Sequence, residues 1–202
     1  MDALRLIAYV ISKACWFIRY EGRENIPPKS FGGFLIAANH QSYVDPVWII
    51  LPMRRKLRFM AVEKAFKWTF IGPLIEYLGS FPVSDDLSGS LSAMKESIRS
   101  LRAGAVLTVF PEGEREAADG ETLPFKTGAV RIAYQANVPI LPVTVRGANR
   151  IWPFGQKYPN FFRRVTITYH PLVVMKKELS ANRGDLDLKT EELRRTIDSV
   201  PK

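Results

Sequence analysis

The chain has 202 residues, enough for one substantial core and too few for two independent domains of ordinary size. Its 47% hydrophobic content excludes an unfolded, low-complexity chain, and a single cysteine, Cys15, excludes an intramolecular disulfide and a thiolate metal cluster. A net charge of +9 points to a polyanionic partner: nucleic acid, an anionic membrane surface or a phosphorylated substrate.

The first predicted element is a helix over residues 2–20. At the helical period one wide arc carries Leu4, Leu6, Ile7, Val10, Ile11, Phe17 and Ile18. The other carries Asp2, Arg5, Tyr9, Ser12, Lys13, Trp16, Arg19 and Tyr20. Cations interleaved with Trp and Tyr beside a broad apolar face describe a helix lying in a lipid interface. Lys13 interrupts the apolar run and no small-residue cleavage site follows, so a signal peptide is not expected. No segment reaches the ~18 apolar residues of a transmembrane helix.

Strands then alternate with helices. Phe34–Ala38 and Leu57–Val62 read as buried strands, with a helix expected over about Ala65–Tyr77 and a short strand over Ser80–Val83. Ser88–Leu101 has helical spacing, Ala105–Phe110 is a strand, and Thr127–Gln135 a helix. Ile140–Val145 and Val165–Tyr169 are strands, and a charged helix covers about Leu188–Ser199. The pattern predicts one α/β domain over residues 21–202, a mostly parallel sheet flanked by helices, preceded by the interfacial helix. Between the first two strands, Val47–Met53 followed by Arg54, Arg55, Lys56 and Arg58 suits a surface that meets anionic lipid. Phe66, Trp68, Phe70 and Ile71 supply further apolar material for lipid or an acyl chain.

In parallel sheets chemistry collects beyond the carboxyl ends of the strands, where His40, Pro111-Glu112-Gly113 and Arg146 fall. In Asn39-His40-Gln41-Ser42-Tyr43-Val44-Asp45-Pro46 a helix starting near Ser42 would fold Asp45 back onto His40. A carboxylate on one ring nitrogen fixes the tautomer and leaves the other nitrogen as a general base for a hydroxyl. An activated thioester donor would need no enzyme nucleophile. In Phe110-Pro111-Glu112-Gly113-Glu114-Arg115 a tight turn can present Arg115 to a phosphate, and Lys126 stands just before a helix N-terminus.

Taken together, NHQSYVDP, GSFPV at Gly79–Val83, FPEGER with PFKTG after it, and VPILPVTV at Val138–Val145 form four ordered blocks. Over about residues 20–172 the sequence resembles the glycerolipid acyltransferase family that includes 1-acylglycerol-3-phosphate acyltransferases. The resemblance implies acyl transfer from a thioester, acyl-CoA or acyl carrier protein, to the free hydroxyl of lysophosphatidic acid. It implies His40 as general base oriented by Asp45, and Glu112, Gly113, Arg115 and Lys126 as the acceptor phosphate site. No metal and no cofactor are expected, the donor being a co-substrate. Two positions depart from the family pattern. Glu114 stands where a small hydroxyl residue is usual, and Ser84-Asp85-Asp86 follows the second block where an arginine is usual. That leaves Arg115 and Lys126 to hold the acceptor, or an acceptor other than lysophosphatidic acid.

The expected partners are an anionic membrane surface, a lysophospholipid acceptor and the acyl donor, with the protein peripheral on a cytoplasmic membrane face. Nucleic acid is not expected, because no zinc-ligand set or RNA-binding signature accompanies the charge. A catalytically silent lipid-binding relative and a hydrolase using His40 are the remaining readings.

Overall fold

The computed structural model describes residues 3–53, 55, 57–62, 66, 72, 76, 80–83, 87–114, 120–152, 156, 158–175 and 182–200. Its strands are β1 Arg19–Glu21, β2 Phe34–Ala38, β3 Leu57–Val62, β4 Phe81–Val83, β5 Val106–Val109, β6 Ile140–Arg146 and β7 Thr166–Tyr169. They form one seven-stranded sheet in the order β1-β7-β6-β2-β5-β3-β4. Five of the six pairings are parallel, and β6 with β7 is the antiparallel one.

β2 lies in the middle, hydrogen-bonded to β5 and β6, and all five of its residues are buried. A strand covered on both faces needs apolar side chains at every position, which is why Phe-Leu-Ile-Ala-Ala shows no alternation. Its side chains still divide by the period of two. Phe34, Ile36 and Ala38 join one core layer, Leu35 and Ala37 the other. Helices α1 (Ala3–Trp16) and α2 (Asp45–Ile50) cover the first face. Helices α3 (Leu87–Arg102), α4 (Gly128–Ala136) and α5 (Arg183–Asp198) cover the second, through residues such as Leu101, Val130, Ala133, Leu186 and Leu193.

Two expectations are corrected. The first helix ends at Trp16 instead of Tyr20, because Phe17 takes a left-handed φ of 44° and Arg19–Glu21 pair with β7 as a strand. It packs on the protein through the more polar of its two arcs. Tyr9, Ser12 and Trp16, from the more polar arc, face the protein, and Ser12 Oγ accepts from Trp48 Nε1 at 3.2 Å. Leu6, Ile7, Val10 and Ile11 are left facing outward.

The second correction concerns Val47–Met53, which is core instead of lipid-facing surface. Trp48, Ile49, Ile50, Leu51 and Met53 are all buried, because α2 lies flat on the β2 and β6 side chains. Arg55 donates to Phe31 O at 2.6 Å, Gly32 O at 3.0 Å and Gly104 O at 2.8 Å, tying the loops that enter β2 and β5. Arg58 pairs with Glu96 at 3.0 Å. Both therefore sit toward the amino ends of the parallel strands, opposite His40. Phe66 is half-buried, whereas Arg54, Lys56, Trp68, Phe70, Ile71, Gly79, Ser84–Asp86 and most of the helix expected at 65–77 lie outside the described residues.

The C-terminal helix is fastened to β6 by a buried polar chain. Thr144 Oγ1 donates to Ile197 O at 2.6 Å, so it must accept from His170 Nε2, 2.8 Å away. His170 is therefore a neutral Nε2–H imidazole, and burial holds its pKa below the ordinary 6.5. Protonation is thus harder in the folded than in the unfolded chain. This stabilisation is complete above about pH 6.5 and is lost as pH falls through the lower folded value. Thermal melts at pH 7.5 and 5.5 should show the wild type losing stability on acidification and His170→Gln losing markedly less; equal losses would contradict the assignment.

Candidate active site

The site grows from the carboxyl end of β2. Asn39, the residue after the strand, extends the ladder with its side chain: Nδ2 donates to Val145 O at 2.9 Å and Oδ1 accepts from Val145 N at 2.7 Å. The chain is thereby held on β6 for one more step, and His40 emerges at the rim of the sheet.

Asp45, the first residue of α2, is fully buried. Its Oδ2 accepts from His40 Nδ1 at 2.9 Å, Gln41 N at 2.6 Å and Ser42 N at 2.7 Å, while Oδ1 accepts from Ser42 Oγ. A buried carboxylate without partners would be costly, and four converging donors remove that cost. They also set the ring. A carboxylate can only accept, so Nδ1 carries the proton and Nε2 is left with a lone pair. Among the described residues Nε2 has no hydrogen-bond partner, and the imidazole is 18% exposed.

Two further contacts immobilise His40. Its backbone N–H donates to Glu112 Oε1 at 2.8 Å, and the Phe110 ring stacks on the imidazole with centroids 4.0 Å apart and planes 18° apart. Glu112 is itself buried, its second oxygen accepting from Leu123 N at 3.0 Å. Its carboxylate thus points inward, onto the backbone of the site.

Six residues make too short a helix to persist alone, so α2 depends on what surrounds it. Its last carbonyls lack partners within the helix. Tyr20 Oη donates to Trp48 O at 3.2 Å and Tyr169 Oη to Ile49 O at 2.7 Å. Burial, before any charge effect, pushes both phenols above the ordinary tyrosine range, so both remain protonated donors. The helix that carries Asp45 is thus capped by β1 and β7.

The loop after β5 forms the facing wall. Gly113 N donates to Phe110 O at 3.0 Å, closing a turn with Pro111 second and Gly113 fourth. Lys126 N donates to Pro111 O at 2.8 Å, which returns the chain to that turn just before α4. Gly113 has φ 80°, and a Cβ there would lie 2.5 Å from Lys126 Nζ. The left-handed backbone favours glycine here, and the flexible Lys126 side chain lies over it. Gln41 joins this loop to the segment after β6, its Nε2 donating to Gly120 O at 3.1 Å and its Oε1 accepting from Ala148 N at 3.2 Å.

His40, Asp45, Glu112, Gly113 and Lys126 thus come together at one end of the sheet; Arg115 lies outside the described residues. The sequence reading gave no role to Ser42, Gln41 or Phe110, although all three lie inside the quoted motifs. Only Ser42, three residues before an acidic helix start, carried a local signal for its contact. Arg146 reaches Val200 O at 2.7 Å and serves the C-terminal helix. Among the described residues no cluster of metal-ligating side chains is present.

The chain is similar to known proteins. A family model described as "Acyltransferase" matches residues 17–146. A 1-acyl-sn-glycerol-3-phosphate acyltransferase of Bacillus subtilis is 32% identical over 133 residues, 64% of this chain and 63% of that protein. The chloroplastic BAT2 enzyme of that name from Brassica napus is 31% identical over 68% of this chain, which spans only 39% of its length. The crystal structure of the 1-acyl-sn-glycerophosphate acyltransferase PlsC from Thermotoga maritima superposes with a TM-score of 0.69 at 30% identity, covering 91% of this chain and 72% of that one. The matched region contains β2, α2, β5 and the His40 site, and the chain belongs to the acyltransferase family.

Proposed function

We propose that the protein transfers a fatty acyl chain from a thioester, carried by coenzyme A or acyl carrier protein, to the free hydroxyl of lysophosphatidic acid. The observation that carries this is the His40 imidazole, protonated at Nδ1 by its bond to Asp45, with no hydrogen-bond partner at Nε2 among the described residues and the ring 18% exposed. Such a group is suited to take a proton from a neutral hydroxyl. The acceptor oxygen attacks the thioester carbonyl as Nε2 accepts its proton. The carbonyl re-forms with loss of the thiolate, which recovers that proton from the imidazolium and leaves as free thiol. Bond formed is oxygen to acyl carbon, bond broken is sulfur to acyl carbon, and no acyl-enzyme is required.

Lys126 over Gly113, with Arg115 two residues after Gly113 in the sequence, suits the acceptor phosphate. Glu112 shapes this region by holding His40. We place the protein on the cytoplasmic face of an anionic membrane, with α1 as its contact. No helix among the described residues is long and apolar enough to cross a bilayer.

Thiol release should be measured with palmitoyl-coenzyme A and acylated carrier protein, with and without oleoyl-lysophosphatidic acid. The expected result is acceptor-dependent release that forms phosphatidic acid and falls at least ~10²-fold in His40→Ala with the fold retained. Release without acceptor would identify a hydrolase, and a folded His40→Ala near wild-type rate would overturn the assignment of the base. At the phosphate site, Lys126→Ala should raise the acceptor KM roughly tenfold with little change in kcat. Gly113→Ala should act in the same direction by displacing Nζ; unchanged KM in both variants would remove the loop from acceptor binding.

A further inference from the structure

Twelve large hydrophobic residues are exposed among the described residues, and eight of them fall in two short segments: Leu6, Ile7, Val10, Ile11 and Phe17, then Tyr158, Phe161 and Phe162. These segments lie far apart in sequence but form one surface. Phe162 N donates to Cys15 O at 2.6 Å, and Trp16 Nε1 donates to Asn160 O at 2.7 Å. The Trp16 and Phe161 rings stack at 5.6 Å, and Phe17 meets Phe162 at 6.3 Å. The loop is thus clipped to the end of α1.

The backbone reinforces this. Phe17 and Phe162 have φ of 44° and 58°, and the remaining non-glycine residue of that kind among the described residues, Asn137, is an ordinary helix cap. A left-handed phenylalanine is strained, and a bulky side chain there is an outlier. Both strained residues hold their rings outward, Phe162 being 72% exposed. Strain that presents aromatic rings to water favours a partner that takes them up.

Charge identifies that partner. Residues 3–20 and 158–169 contain no aspartate or glutamate; they carry Lys13 and Arg19, the latter paired with Glu21 at 3.0 Å, and Arg163 and Arg164, which directly follow Phe161 and Phe162. All four cations are exposed, and neither Arg163 nor Arg164 makes an ion pair among the described residues. Apolar rings flanked by unpaired arginines match the boundary between acyl chains and anionic headgroups. The orientation fits as well. β1 and β7 start beside Arg146, the carboxyl end of β6, so this surface borders the rim that carries His40.

We propose that the Tyr158–Arg164 loop is a second bilayer-inserting element, with Phe161 and Phe162 entering an anionic leaflet beside α1 and Arg163 and Arg164 gripping its phosphates. This rests on the reading of the protein as a membrane-surface enzyme and adds a site of contact to it. Lysolipid in that leaflet would then stand next to the catalytic end of the sheet.

The test is sedimentation of the full chain with vesicles, either of phosphatidylcholine alone or of equal parts phosphatidylcholine and phosphatidylglycerol. Phe161→Ser/Phe162→Ser should bind mixed vesicles at least ~10-fold more weakly than wild type, with an unchanged melting temperature. Arg163→Gln/Arg164→Gln should lose about tenfold on mixed vesicles and nothing on neutral ones. Wild-type binding that both variants retain would overturn the loop proposal and leave a membrane role for α1 intact. Wild type that binds no vesicle overturns the membrane reading itself, while acyl transfer to micellar lysophosphatidic acid would still stand. A lipid-independent dimer broken by Phe161→Ser/Phe162→Ser, without vesicle binding, would assign the surface to a second copy and overturn the proposal.

Discussion

A carboxylate sealed from water must have its lone pairs matched by donors, or it will not stay charged where it is. Asp45 meets this condition with two backbone N–H groups, a serine hydroxyl and the imidazole of His40. All four donors belong to the segment that carries the chain from β2 into α2. The same bonds that shape the turn therefore choose the tautomer of the histidine. Chemistry and local folding are one constraint here, and loss of any donor would disturb both.

The rest of the architecture keeps that turn in place. Asn39 anchors its start to β6, and the tyrosines of β1 and β7 hold the far end of α2. The loop after β5 closes over His40 through Phe110 and Glu112, and α5 reaches the same loop where Thr122 bonds Asp198. The outer side of the first layer behaves differently. α1 covers the core with tyrosine, serine and tryptophan, and turns its aliphatic residues away from the protein. A rigid base inside and an apolar, basic surface beside it are what a reaction between a lipid hydroxyl and a soluble thioester would require.

How much of this is legible in the sequence follows from how local each feature is. β2 is an uninterrupted apolar run, and β3, β5 and β6 are apolar apart from Arg58, Thr108, Thr144 and the closing Arg146; their limits shift by a residue at most. β1 has three residues and α2 six, and both are stabilised by partners more than a hundred positions away, such as Tyr169 under Ile49. No local pattern encodes such contacts. Hydrophobicity identified Val47–Met53 as special but not which way it faced, because core and lipid select the same side chains. The His40–Asp45 pair was readable because a helix start brings the two together. Glu112 was placed in the site by the family resemblance, but its contact was not readable, since an acid in a turn gives no sign that it points inward to the backbone amide of His40.

The tautomer of His40 is the claim on which the mechanism turns, and the chain has only two histidines. Nitrogen-15 NMR of histidine-labelled protein at neutral pH would read both directly. The account predicts opposite tautomers: one ring protonated at Nδ1, lost in His40→Ala, and one at Nε2, belonging to His170. Two Nε2-protonated rings, or an Nδ1 signal that survives His40→Ala, would contradict it.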